Sequence, residues 1–460
     1  MSSTPSVDAA TAIDQAPFGR AQKRIVFLCA LIAMLDGFDT QVVAFVAPVL
    51  AAQWGLPVSS FGPVFGAGLA GLMLGALVFG PAADRFGRRR VIMATTAIFG
   101  AFTLLTPWAD SLTTLLILRL LTGLGLGGAM PNIIALTAEY APARSRATLI
   151  SLMFCGFPLG AVLGGFLAAR MIPSLGWEST FWLGGALPLL LLPALFVWLP
   201  ESIRMLAARR TPEATLRALL VPILGAGRAA QVHFNRSEAQ AQPQKGMSVL
   251  QLFGGPRTAQ TLLLWAVFFM NLLVLYFLVN WLPALLRQAG VPLDKAIVST
   301  ALLNLGGIAG ALVFARLIDR LGPYRVLLAA YAAAGVATFA IGRMTQAEFP
   351  ALMAMVFVAG FCVIGAQISI NALASGLYDT EIRSTGVGWA LGVGRAGSIV
   401  GPVVGGLLVG TGVALESLFA VAALPAWMAA VAVALLARRT MRRREAVPGA
   451  GARPAAGALE

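Results

Sequence analysis

The stretch Leu35-Asp36-Gly37-Phe38-Asp39-Thr40 sets two carboxylates in the middle of an apolar segment running from Ile25 to Val49. About 25 residues suffice to cross a hydrocarbon core of roughly 30 Å as a helix. At about 1.5 Å per residue, Asp36 lies about 17 Å and Asp39 about 21 Å beyond Ile25, near the bilayer midplane. An ionised carboxylate at that depth costs several kcal/mol unless it has a partner, a proton or water. Spaced i, i+3, the two acids share one helix face and can both turn towards an aqueous cavity. Such a pair is either structurally neutralised or a proton or substrate site inside a transporter, and we carry the second reading forward.

The composition agrees with a membrane setting. The 460-residue chain is 58% apolar and 11% charged, with a mean hydropathy of +0.84. Soluble domains carry about a quarter charged residues, so this is the composition of an integral membrane protein. Cys29, Cys155 and Cys362 all fall in apolar spans, and no disulfide is expected. A formal charge of +14 would suit a nucleic-acid binder, but its placement follows membrane topology instead. Residues 1–20 are rich in Ala, Ser, Thr and Asp, have no apolar face, and are expected to be disordered. The apolar stretch behind them is too long for a secretory signal.

Twelve spans are predicted, near 25–50, 60–82, 90–109, 112–138, 146–170, 178–199, 258–284, 295–317, 324–343, 350–376, 384–410 and 416–437. They form two sets of six, over residues 21–199 and 258–437. The polar, Arg-rich linker between them, residues 200–257, suggests a short amphipathic helix or two rather than a folded domain. A basic tail, 438–460, closes the chain. Of the 33 Lys and Arg, only Arg119 and Arg395 lie deep within spans. Arg170, Arg287, Lys295 and Arg343 fall in one parity of loops; the others lie in the opposite loops, the linker and the termini. Positive charge marks the inner side, so both termini and the linker are expected in the cytoplasm of a multi-pass inner-membrane protein.

The halves repeat. Gly75-Ala-Leu-Val-Phe79 recurs as Gly310-Ala-Leu-Val-Phe314, an offset of 235. At the same offset Asp84, Arg85, Gly87, Arg90 and Val91 match Asp319, Arg320, Gly322, Arg325 and Val326. The expected fold is thus an all-α membrane protein of twelve transmembrane helices in two pseudo-symmetric six-helix bundles around a midplane site.

Gly80-Pro-Ala-Ala-Asp84-Arg85-Phe-Gly87-Arg88-Arg89-Arg90, between the second and third spans, closely resembles the loop signature of the major facilitator superfamily. A basic inner loop alone would explain its arginines but not the Asp-Arg-x-Gly spacing or its second copy. A narrower resemblance, to the aromatic acid:proton symporters, rests on four further stretches. These are Asp36-Gly-Phe-Asp39, Arg119 to Asn132, Glu139-Tyr-Ala-Pro-Ala-Arg144-Ser-Arg146, and Glu381-Ile-Arg383-Ser-Thr-Gly-Val-Gly-Trp389 running to Gly394-Arg395. The second loop departs from the pattern, because Pro323-Tyr324 replace the paired arginines after Gly322. The resemblance implies the major facilitator fold and a carrier of benzoate-type acids.

Depth assigns partners. Arg119 sits about 10 Å below the outer edge and Asp39 about 9 Å below it, so an ion pair between them is expected. Breaking that pair by protonating the acid would couple proton entry to helix movement. Arg395, about 17 Å into the eleventh span, is then free for a substrate carboxylate, which suits its bidentate fork. Asn271, Asn304 and Gln367 could bond ring hydroxyls or bind helices together. Phe154, Phe157, Tyr276 and Trp389 could stack an aromatic ring, whereas Trp281 is expected as an interfacial anchor. Gly123, Gly125, Gly127 and Gly128 predict close helix packing, not a nucleotide loop. His233, the only histidine, falls in the linker, so membrane imidazole carries no proton.

Three sets of candidate residues result. Asp36, Asp39, Arg119 and Glu139 are assigned to proton coupling. Arg119, Arg395, Asn271, Gln367, Phe157, Tyr276 and Trp389 are assigned to substrate binding. Asp84, Arg85, Gly87, Arg88, Arg89, Asp319, Arg320, Glu381 and Arg383 are assigned to the gating loops. No enzyme constellation, metal-ligand spacing or cofactor motif is present in the sequence. The expected activity is import of a small aromatic carboxylate with protons, by a monomer in the lipid bilayer with no nucleic-acid partner. A proton-coupled exporter of drugs or organic acids is the first alternative. Its usual Gly-Pro signature belongs in the fifth span, yet Gly160 to Gly165 lacks the proline and Gly397 to Gly406 in the eleventh has it. A membrane sensor of aromatic acids that does not transport is the second.

Overall fold

The computed structural model describes residues 7–209, 211–233, 252–253, 257–345, 348–378 and 382–445. Twelve of its helices are long and apolar enough to span a membrane. We label them α1 (Arg20–Gln53), α2 (Val58–Phe86), α3 (Arg88–Trp108), α4 (Leu112–Tyr140), α5 (Thr148–Leu175) and α6 (Glu178–Trp198) in the first half. The second half holds α7 (Arg257–Gln288), α8 (Leu293–Leu321), α9 (Pro323–Arg343), α10 (Phe349–Asn371), α11 (Thr385–Gly410) and α12 (Leu415–Thr440). In lipid each backbone polar group must be satisfied within its own segment, so apolar runs of this length fold as helices.

The sequence repeat is a packing repeat. A methyl group built on Gly71 or Gly75 of α2 would overlap the carbonyl oxygens of Leu120 or Leu124 in α4. One built on Gly123 or Gly127 of α4 would overlap those of Gly68 or Leu72. The same crossing recurs between α8 and α10, where Gly306 and Gly310 face the carbonyls of Phe357 and Phe361, and Gly360 faces that of Leu303. Gly71 and Gly75 stand at the repeat offset from Gly306 and Gly310. Only a residue without Cβ allows two helix backbones to meet this closely.

The halves meet at the end away from the linker. There Phe45, Phe61, Phe65, Phe277 and Trp281 share one apolar cluster drawn from both halves. At the linker end each half keeps its own cluster, around Ile32 and Leu136 in the first and around Phe268 and Leu327 in the second. Along the seam, a methyl on Gly62 would lie 3.1 Å from the Pro402 carbonyl oxygen, and one on Gly165 would lie 3.0 Å from the Ala301 Cβ. Nearer the linker, Gly80, Gly388 and Gly392 have open space around them. The described residues of the two halves thus share an apolar cluster at the far end and keep separate ones at the linker end.

Two expectations need correction. Residues before 20 are not without structure: Ala9–Gln15 is helical, and Ile13 and Ala16 are buried. Ile13 clusters with Leu216, Leu220 and Ala229 of the linker and with Ile25 of α1. Val7–Asp8 pairs in parallel with Val232–His233, and Asp14 bonds Arg146 at 2.5 Å. The segment is too polar to fold alone, but the linker supplies the apolar surface it lacks. Among the described residues the linker forms three short helices, Ile203–Ala208, Glu213–Leu224 and Ala226–Ala230. Trp281 is the second correction. It is 0% exposed, its Nε1 donates to the Pro402 carbonyl at 2.9 Å, and its ring meets Phe65 edge-on at 5.3 Å. A Trp whose N–H finds a buried carbonyl has no need of the membrane surface.

Candidate functional site

The depth of the acidic pair is set by the crossing of α1 and α5. A methyl on Gly37 would overlap the Phe157 carbonyl, and one on Gly160 would overlap that of Met34. Gly37 thus lets α1 lie against α5 between the two acids, leaving Asp36 and Asp39 on its other faces. Asp39 Oδ2 is 3.4 Å from Arg119 Nη1, and both side chains are almost wholly buried. The pair expected from depth alone is present.

Its surroundings hold each charge from more than one side. The Thr103 hydroxyl donates to Asp39 Oδ1 at 2.5 Å. Arg119 Nη2 donates to Thr106 Oγ1 at 2.5 Å, and the guanidinium lies 5.1 Å from the centre of the Phe181 ring. Thr103 and Thr106 share a face of α3 at i, i+3, so one helix braces both members of the ion pair. Neither threonine stood out in sequence, because Thr is unremarkable in an apolar span.

Asp36 is placed differently. It is 1% exposed; its Oδ1 accepts from the Thr40 hydroxyl at 3.1 Å, and its Oδ2 has no hydrogen-bond partner among the described residues. Arg395, from the opposite half, is near enough to act electrostatically on it and on Tyr276. Arg395 makes no ion pair among the described residues. The structure thus puts one arginine on an acid of its own half and leaves the other facing the midplane between the halves.

The remaining candidates divide. Asn271 Nδ2 donates to Gln367 Oε1, joining α7 to α10 within the second half. Asn304 pairs with Gln41 across the seam. Trp389 stacks on Trp265 at 6.0 Å and is 47% exposed. Phe157 is half-buried and Phe154 exposed. Among the described residues no three His, Cys, Asp or Glu side chains converge as metal ligands.

Glu139, grouped in sequence with the coupling residues, is held by other partners at the linker end. It accepts from Arg88 Nη1 at 3.0 Å, from the Ser202 hydroxyl at 2.8 Å, and from the Arg204 backbone N–H at 2.6 Å. Beside it, Glu201 accepts from the backbone N–H of Arg89 at 3.0 Å, and the Tyr140 hydroxyl donates to the Glu201 carbonyl at 2.6 Å. Gly87 makes the turn with φ of 108°, which favours glycine. The side chain of Arg89 donates to the Phe196 carbonyl, and that of Arg85 lies over Phe86. Asp84, Asp319 and Arg320 are exposed. Glu381 lies outside the described residues, as does the side chain of Arg383.

Comparison with known proteins agrees with this architecture. The sequence profile of the Major Facilitator Superfamily matches residues 29–341 and 296–458. The gallate transporter of Pseudomonas putida is 44% identical, over 96% of this chain and 97% of its own. A 4-hydroxybenzoate transporter of the same organism is 42% identical, over 93% and 95%. The inward-open structure of the xylose transporter XylE from E. coli superposes with a TM-score of 0.71 at 18% identity, covering 90% of this chain and 95% of that one. The chain belongs to the major facilitator superfamily and, within it, to the aromatic acid transporters. It is a multi-pass membrane carrier and not an enzyme.

Proposed function

We propose that this protein imports a small aromatic carboxylate of the benzoate or hydroxybenzoate class together with protons. The observation that carries the coupling is the buried Asp39–Arg119 pair at 3.4 Å. A carboxylate held this way is neutralised only when a proton takes the place of the arginine, so proton binding frees Arg119 and releases α1 from α4. The substrate class is supported by the gallate and 4-hydroxybenzoate carriers named above.

In this reading Arg395 takes the substrate carboxylate, with Tyr276 beside it and Asp36 as the second titrating acid. Asn271 and Gln367 meet ring hydroxyls, with Arg119, Phe157 and Trp389 completing the cavity. The halves then rock between two openings. Contact at the far end and separation at the linker end support an inward-facing state as one of them. Asp84, Arg85, Arg88 and Arg89, with Asp319, Arg320, Glu381 and Arg383, secure the linker end when it closes. The protein works as a monomer in a bacterial inner membrane, with the linker and both termini in the cytoplasm, as the Lys and Arg placement supports.

Uptake of labelled 4-hydroxybenzoate into right-side-out vesicles, with and without an uncoupler, tests the proposal. Accumulation should collapse when the proton gradient does. Undiminished accumulation would overturn symport.

A further inference from the structure

Behind the Asp39–Arg119 pair lies a cavity of about 40 Å³ bounded by α1, α2, α4 and α7. Its polar lining comes from Asp39, Thr40, Arg119, Thr122, Tyr276 and Asn280. A water needs at least about 10–15 Å³ of such space and two to four polar partners, so the cavity suits one or two waters. An aromatic ring does not fit it.

Two groups in its wall are unsatisfied. Thr122 Oγ1 and Arg119 Nε have no hydrogen-bond partner among the described residues, and these side chains are 1% and 3% exposed. A buried polar group left unpaired costs about 1–3 kcal/mol, so each calls for a partner from the cavity. A third group is already half engaged. Thr40, also in the wall, donates to Asp36 Oδ1 at 3.1 Å, which leaves its oxygen free to accept from the cavity side. The cavity therefore touches Asp39 directly and Asp36 through one hydroxyl.

We infer that this cavity holds a resident water bonded to Thr122, Arg119 and Thr40, and that this water passes a proton between Asp39 and Asp36. The inference rests on the proton-coupled reading above. Once Asp39 is protonated, its carboxyl gives its proton to the water. The water passes one of its own protons to the Thr40 oxygen, and the Thr40 hydroxyl proton moves to Asp36 Oδ1. At each oxygen one O–H bond forms as another breaks, so the water and Thr40 end as they began. Asp39 is left ionised and pairs again with Arg119, and Asp36 ends neutral. No further reactant is required. The relay ends beside Tyr276 and Arg395, where Asp36 sheds its charge next to the arginine assigned to the substrate. The guanidinium in the wall makes the same cavity unfavourable for a sodium ion.

Thr40→Val and Thr122→Val keep the side-chain shape and remove the hydroxyl, and Thr40→Ser keeps the hydroxyl. The readout is the ratio of proton-driven accumulation to counterflow of labelled 4-hydroxybenzoate in proteoliposomes, since counterflow moves no net proton. The ratio should fall about tenfold or more in Thr40→Val, fall severalfold in Thr122→Val, and recover in Thr40→Ser. A parental ratio in Thr40→Val, or a Thr40→Ser protein as impaired as Thr40→Val, overturns the relay. So does accumulation that requires sodium in place of choline. Failure of the relay alone leaves the parent protein sensitive to uncoupler; an insensitive parent overturns the coupling reading and the relay with it.

Discussion

The amides of Gln41 and Asn304 bond each other twice across the seam between the halves, at 3.2 and 3.0 Å. Both side chains are buried, and Asn304 also donates to the Thr300 carbonyl at 2.9 Å. Glycine and apolar contacts surround them, so among the described residues this reciprocal pair is the directional element of the closure. Asn304→Leu leaves the Gln41 amide buried and unpaired, a defect of about 1–3 kcal/mol charged to the far-closed state alone. The far mouth should open more often. A Ser59→Cys reporter, placed where Ser59 meets Gly406 and Gly410, should be alkylated severalfold faster by an impermeant maleimide in Asn304→Leu than in its absence. Equal labelling would mean that the seam is held without the amides.

Asp36→Asn and Asp39→Asn should differ. Asp39→Asn strands Arg119 as a buried cation, at a cost of roughly 3–5 kcal/mol. The expected result is a lower thermal midpoint and no transport. Asp36→Asn mimics the protonated acid and removes no ion pair, so the protein should fold, bind and exchange substrate without accumulating it. Asp39→Asn/Arg119→Gln should recover part of the lost stability but no coupling. Strictly additive losses across the four midpoints would show that the two residues are not partners.

Glu139→Gln should act on stability and leave coupling alone. The carboxylate takes hydrogen bonds from Arg88, Ser202 and Arg204, and bonds to charged groups contribute about 1.5–3 kcal/mol each. The variant should unfold earlier and lose anchorage of the linker, seen as faster proteolysis between 204 and 233. Its uptake per folded molecule should keep the parental response to an imposed proton gradient. A changed response would return Glu139 to the coupling residues.

Asp84→Asn should impair uptake more than Asp319→Asn, because only the first loop keeps paired arginines after its glycine. Both acids are exposed, so neither change should move the thermal midpoint. Substrate binding should survive in both. Loss of binding in a well-folded Asp84→Asn protein would contradict a gating role.

The residues readable in advance were those whose cost in lipid dictates a partner. Asp39 and Arg119 could be matched by depth because an unpaired charge there is so unfavourable. The twelve helices followed from length and hydropathy, and the offset repeat pointed to two like halves. The residues that escaped notice are those whose role depends on tertiary neighbours. Thr103 and Thr106 became braces because α3 turns them towards α1 and α4. Trp281 found a carbonyl on α11 that no local pattern announces. Glu139 took its partners from the start of the linker, and Ile13 found a surface the linker builds.

The backbone crossings of α2 with α4 and of α8 with α10 have a mechanical consequence. Where carbonyl meets glycine there is no side chain to take up slack, and the joint behaves as a rivet. Each half carries such a joint at corresponding positions, and the crossings of α1 with α5 and of α7 with α11 add another to each. On the proposed rocking mechanism each riveted pair should move as one stiff unit, leaving displacement to the seam and to joints held by side chains alone, such as Asp39–Arg119, as in two stiff rockers sharing a fulcrum. If a proton on Asp39 drives the proposed movement, no riveted pair has to bend: what is loosened at the pivot would be delivered undiminished at the ends of the arms.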